Sequence, residues 1–322
     1  MTDSPRRSQL AICYSSTGAT QAGFGTGSWL ANGAIDARFS LAPGSEPRLE
    51  YVTKADEILT CTGQDILKKI LLAKSIRISF ELQIDIATLA ILLEWGFGAT
   101  SGSDILMLSE SEFQPAATTF VWAHDDAAGV ALKLGDMVLD EIEVTGEVSG
   151  RINCTVAFRG HGTPVDVSGA FTVPECTDVD PVRLSDGDFI LDGTPVIDDI
   201  RRVSFRFSNG LLFDEDAHTA ASVDIVRMER ADRREELFTF TIYGQPGDAN
   251  HLAALAFTEM DVSWQIGDGT PGILIAAANA ILEQAGGPTH GGEALRSVLE
   301  LQALPTKISG DADTPVKATI LP

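Results

Sequence analysis

The sequence predicts a mainly β protein: two tandem β-sandwich or barrel domains, each flanked by one short α-helix. Three observations carry this expectation. Apolar and polar residues alternate along many short segments, helix-like runs are few, and one order of strand and helix appears twice. The alternation is clearest over residues 74–83 (KSIRISFELQ). There Ile76, Ile78, Phe80 and Leu82 share one face, and Arg77, Ser79 and Glu81 share the other. Residues 139–148, 152–158, 202–207, 237–243 and 297–304 read the same way, with Gly, Asn, Asp and Pro between them supplying turns.

Three helices are expected. Asp85 caps the first, which carries Leu89, Leu92 and Leu93 and stops at Gly96 and Gly98. Asp248 caps a second, with Leu252, Leu255 and Phe257. A third spans residues 272–284, between Pro271 and the Gly286–Gly287 pair, with Ile273, Leu274, Ile281 and Leu282 on its apolar face.

The internal repeat sets SIRISFELQ and ATLAILL against LFTFTIYG and NHLAALAF, aligning Phe80 with Phe240 and Leu89 with Leu252. Upstream, Arg38-Phe39-Ser40 matches Arg206-Phe207-Ser208. The organisation read from this is a flexible glycine-rich arm over residues 1–32, a first β domain over 33–170 and a second over 171–322. A helical insertion is expected near 267–293, where the first half has no counterpart.

Forty-four per cent of the 322 residues are apolar, enough for a substantial core. The 46 acidic and 23 basic side chains leave a net charge of −23. Binding to DNA relies on Lys and Arg displacing phosphate counterions, so this balance argues against a nucleic-acid binder and against an anionic membrane surface. It fits either simple solubility or a surface past which DNA slides without sticking. Cys13, Cys61, Cys154 and Cys176 are far apart and form no C-x-x-C pair, as expected of small buried hydrophobes. No apolar run approaches a membrane span and no signal-peptide core is present, so a soluble product made in the cytosol is expected.

Chemical motifs are weak. The stretch LAICYSSTGAT has the strand and hydroxyl-rich loop of a flavin-phosphate cradle. Gly23, Gly25, Gly27 and Gly33 follow it and break the helix such a cradle needs. Asp178, Asp180, Asp186, Asp188 and Asp192 lack the closing glutamate of a calcium loop, and Asp214, Glu215 and Asp216 form a second solvated group. His124, His161, His218, His251 and His290 never fall at metal-ligand spacing, and no G-x-S-x-G elbow occurs. No catalytic residue, cofactor or metal is therefore expected. Glu141, Glu143 and Glu147 alternate with Ile142, Val144 and Val148, so one strand face packs while the other presents carboxylates.

Laid out in order, the glycine-rich arm, AIDARFSLA, EILTCTGQDILKK, SIRISFELQ and ATLAILLEWGFG resemble the major tail tube proteins of long-tailed (siphovirus-like) bacteriophages. TPVIDDIRRVSFRFSNG, ELFTFTIYG and NHLAALAF repeat the pattern, so the resemblance covers residues 30–320. It implies a structural subunit of the virion, made in the host bacterial cytoplasm, that self-associates into stacked rings. For a duplicated chain the ring is a homotrimer with pseudo-hexameric symmetry. It also implies tape measure and tail terminator or tip proteins as partners. Genomic DNA then passes through the tube during ejection without specific binding, and Glu141, Glu143 and Glu147 are candidates to face the lumen. The rival expectation is a carbohydrate- or receptor-binding β-sandwich module of a virion or cell surface.

Overall fold

The computed structural model describes residues 10–18, 24, 29–59, 66–107, 117–124, 130–148, 150–161, 163–176, 182–197, 200–213, 218–219, 222–225, 228–230, 238–244, 258–269, 271–291, 294–303 and 316–321. The first half contributes β1 (Leu10–Tyr14), β2 (Ala37–Arg38), β3 (Arg48–Leu59), β4 (Ile66–Gln83), helix α1 (Ile86–Phe97), β5 (Gly98–Ser101) and β6 (Asp104–Met107). It continues with β7 (Ala117–His124), β8 (Ala131–Glu147), β9 (Asn153–His161) and β10 (Val165–Asp166). The second half contributes β11 (Asp188–Leu191), β12 (Thr194–Pro195), β13 (Ile200–Ser208), β14 (Leu211–Phe213), β15 (His218–Thr219), β16 (Ser222–Ile225) and β17 (Met228–Arg230). It ends with β18 (Phe238–Gly244), β19 (Met260–Ile266), β20 (Gly272–Gly291), β21 (Ala294–Ala303) and β22 (Lys317–Leu321).

Twenty of these strands join one curled, half-barrel sheet, and β14 and β17 pair separately. Its spine is the antiparallel order β3–β4–β9–β8–β13–β18–β21–β20. β8 and β20, strands of 17 and 20 residues, each pass from this spine into a second layer. There β8 meets β7 and β10, and β20 meets β19 and β22.

The pairing pattern repeats strand for strand. Contacts β1–β2, β1–β7, β3–β4, β4–β9, β7–β8, β8–β9 and β8–β10 recur as β11–β12, β11–β19, β13–β18, β18–β21, β19–β20, β20–β21 and β20–β22. The irregularities recur as well. The ladder of β8 slips between Thr118 and Phe120 of β7, and again between its own Leu139 and Glu141. That of β20 slips between Met260 and Val262 of β19, and again between its own Leu282 and Gln284. Bulges are positioned features of a sheet, so these slips serve as reference points for laying one set of strands on the other. Through Leu139, Phe158 and Ile78 on one side, and Leu282, Leu301 and Phe240 on the other, they match Phe240 to Ile78. The sequence alignment to Phe80 is two residues out, on the same face.

The core lies between the spine and the second layer. Ile76, Ile78, Phe80 and Leu82 of β4, Phe158 of β9, and Ile142 and Val144 of β8 are all buried in it. So are Phe205 and Phe207 of β13, and Trp264 and Ile275 farther along. Helix α1 seals the first half. The Asp85 carboxylate accepts the Thr88 N–H at 2.6 Å, and Gly98 at φ 89° ends the helix in the left-handed region that favours glycine. Its Trp95 stands edge-on to Tyr14 and Phe39, which stack at 4.1 Å. Each fully buried ring of this group stabilises the fold by about 1.5–3 kcal/mol.

Two expectations are corrected. Residues 272–284 are strand, part of β20, because Ile273, Ile275 and Ala277 alternate inward against β19 and β22. The helical insertion near 267–293 is thus the counterpart of β8, and tertiary pairing overrides the helix propensity of its alanines. The arm over residues 1–32 is not all outside the core either. Leu10–Tyr14 is a buried strand between β2 and β7, and the Trp29 ring lies on Gly135. The helix expected from Asp248 lies outside the described residues.

Candidate functional site

With α1 and the second layer against one face of the spine, the opposite face carries its polar residues. On β8, Glu141 and Glu143 are half-buried and Glu147 is exposed, alternating with buried Ile142 and Val144. Cross-strand register arranges them in rows. One row runs from Arg48 through Ser79, Ala157 and Glu141 to Ser208. The next runs through Glu81, Thr155, Glu143 and Arg206, and a third through Gln83, Asn153, Thr145 and Ser204. Glu147 lies opposite Arg202.

The three glutamates expected from sequence are therefore brought together on one face, but they do not form a bare acidic wall. Arg206 Nη2 donates to Glu141 Oε1, and Arg77 Nη2 lies 3.9 Å from Glu141 Oε2. Arg48 and Glu50 pair at 2.6 Å beside them. Sequence reasoning gave Arg77, Arg159, Arg202 and Arg206 no role at this face. Arg77, Arg202 and Arg206 occupied visible polar positions of expected strands, and Arg159 followed one. What sequence could not supply was the register that sets Arg206 opposite Glu143 and Arg202 opposite Glu147. Such half-exposed pairs each contribute about 0–1 kcal/mol. Their larger effect is to occupy the arginines, which would otherwise be available to phosphate.

A depression of ≈ 360 Å³ opens on this face, lined by Glu81, Glu143, Thr145, Glu147, Arg151, Asn153, Thr155 and Arg202. Its lining is polar throughout, unlike the largely apolar concavities that hold small ligands. Beneath it, burial pushes the Cys154 thiol well above its ordinary range, with the charges of Glu143 and Glu81 adding to the effect. Among the described residues no group of His, Cys, Asp and Glu side chains is placed to hold a metal. No helix among them is long and apolar enough to cross a membrane.

The two halves meet on the same face. β13 continues the ladder of β8 from Arg202–Glu147 to Ser208–Glu141. At its end the Asn209 N–H donates to the Asp140 carbonyl at 2.7 Å, and Asn209 Nδ2 donates to the Leu139 carbonyl at 2.6 Å. The second half thereby clamps the bulge of the first. The Asp140 carboxylate, nearly buried, accepts from Arg159 at 2.7 Å.

The chain is mainly β, with a long curled sheet that keeps one polar face clear of its own helix and second layer. The family model for phage tail tube proteins matches residues 62–319, and the chain belongs to that family. No curated protein matches it. Its role is accordingly structural, as a component of the virion's tail tube.

Proposed function

We propose that the chain is a duplicated tail tube subunit whose two halves, broadly 33–170 and 171–322, are tandem tube domains. Three copies form a pseudo-hexameric ring, and stacked rings form the conduit for genome ejection. The carrying observation is the strand-for-strand repeat of pairing, matched bulges included. Each half supplies four spine strands, so three chains close a barrel of 24 strands. At roughly 4.8 Å per strand and a tilt near ~40°, its backbone wall is ~45–50 Å across. Layers already cover the apolar face, so the polar face turns inward, and Glu141, Glu143 and Glu147 line the lumen beside their arginines. DNA passes without specific binding because those arginines are engaged. The subunit acts without catalysis, with tape measure and terminator or tip proteins as its partners at the tube's core and ends.

The carbohydrate-binding alternative is not favoured. Among residues whose side chains are described, Tyr51 is the one exposed aromatic, and it lies on a strand edge. Negative-stain microscopy with mass photometry at high protein concentration tests the proposal. Hollow rings built from three chains are expected. A six-chain ring, or a monomer at every concentration with specific glycan binding, would overturn it.

A further inference from the structure

Among the described residues the spine has two ends without a further strand. Among the described residues, β3 pairs along its length with β4 alone. β20 pairs with β21 on one side beyond Ala280, while β19 and β22 reach no farther than Ala280 and Ala276 on the rest of the strand. Open sheet edges are templates for another strand, and proteins ordinarily cover them.

The chain itself shows what covers such an edge. β13 occupies in the second half the place that β3 occupies in the first, and β13 pairs with β8, the counterpart of β20. Matching through β4 and β18 sets Leu49, Glu50, Tyr51 and Val52 against Phe205, Arg206, Phe207 and Ser208. Phe205 and Phe207 are fully buried, whereas Tyr51 is 55% exposed and Val52 51%. Tyr51 belongs to the inward set, opposite Ile76, and among the described residues no strand lies beyond β3 to cover it.

We infer that β3 of one copy of this chain docks antiparallel on the free edge of β20 of a second copy, reproducing between chains the seam that β8 and β13 make within one. The matched bulges give the register: Phe207–Ile142 becomes Tyr51–Ala285, Ser208–Glu141 becomes Val52–Gln284, and Arg206–Glu143 becomes Glu50–Gly286. The contact is head to tail, because donor and acceptor edges differ, and such contacts close only as rings. This inference rests on the ring reading above and specifies its contact.

The test is disulfide formation in the full chain, in a Cys61→Ser, Cys176→Ser background. Val52→Cys with Gln284→Cys is the test pair, and Ser208→Cys with Glu141→Cys is the control for the internal seam. Assembled protein is oxidised mildly, resolved on denaturing gels and imaged in parallel. Expected are covalent dimers and trimers from the test pair, none from either single variant, and an intrachain link from the control. Tyr51→Asp should raise the concentration needed for assembly by about tenfold or more, with the unfolding midpoint little changed. Rings that form normally without interchain links, while the control links, would overturn this seam and leave the tube intact. Absence of rings at every concentration would overturn the ring reading itself, and the seam with it.

Discussion

Phe207→Ala removes a side chain through which β13 packs against α1. Its ring is fully buried, edge-on to Phe97 at 5.3 Å, and a Cβ on Gly96 of α1 would lie 2.8 Å from it. Losing the burial costs about 2 kcal/mol. A cavity of roughly 80–100 Å³, at about 24 cal/mol per Å³, adds about 2 kcal/mol more. At about 2.1 cal/mol/K per residue over 322 residues, the sum of about 4 kcal/mol corresponds to a fall in melting midpoint of roughly 6 °C. Urea unfolding of the soluble subunit, followed by fluorescence of the buried Trp95 and Trp264, measures it. A second substitution sharpens the test. Gly96→Ala gains about 1 kcal/mol of helix propensity, but its methyl meets both Phe207 and Leu139, at 2.8 and 2.9 Å, and overpacking costs about 1–3 kcal/mol. In the Phe207→Ala background the contact with Phe207 is gone and the Leu139 methyl can turn into the vacated space, so Gly96→Ala should become neutral or stabilising, a coupling of at least about 1 kcal/mol. A loss below about 1 kcal/mol for Phe207→Ala, or strict additivity with Gly96→Ala, would refute the packing of β13 against α1.

Other changes have equally defined outcomes. Gly187→Ala puts a methyl onto the Gln265 carbonyl oxygen, backbone that cannot yield cheaply, and should destabilise by about 2 kcal/mol or more in the same assay. Changing Glu141, Glu143 and Glu147 together to Gln should move stability by no more than about 1 kcal/mol, yet release Arg77 and Arg206 from Glu141 and remove the negative charge opposite Arg202, so that the face holds duplex DNA at low salt. DNA retention identical to that of the unaltered protein would show that the arginines are not restrained by those carboxylates. The Thr319 hydroxyl and Lys317 hold the Asp104 carboxyl below its usual range. Its contribution is therefore complete above the unfolded value of about 3.9 and is lost as pH falls through the lower folded value. Asp104→Asn should flatten the acid limb of the stability profile, and an unchanged limb would count against the link between β6 and β22.

Local patterns were the legible part of this molecule. The segments read as alternating, 74–83, 139–148, 152–158, 202–207, 237–243 and 297–304, overlap β4, β8, β9, β13, β18 and β21 respectively. Asp85 and Gly98 delimit α1 as their capping chemistry predicts. β20 was misread because IAAANAIL is alanine-rich. Its inward period of two shows in Ile273, Ile275 and Ala277 but is weak wherever small side chains occupy both faces. β1 was legible as a short apolar strand, but the glycines that follow it led to its assignment to a flexible arm, since five residues do not reveal which sheet they join. Of the candidate site, sequence supplied the three glutamates and their common face. The arginines between them arise from register between strands 60 residues apart in the chain, which no local pattern encodes.

The β8–β13 seam also bears on how quickly a ring can be built. Because both partners lie on one chain, they meet at an effective concentration set by the connecting segment, independent of how much protein the infected cell contains. Only the junctions between chains pay the translational and rotational cost of association. On the three-copy reading, every second junction around the ring is already made when a chain finishes folding, so fewer partial rings accumulate and assembly depends less steeply on subunit supply.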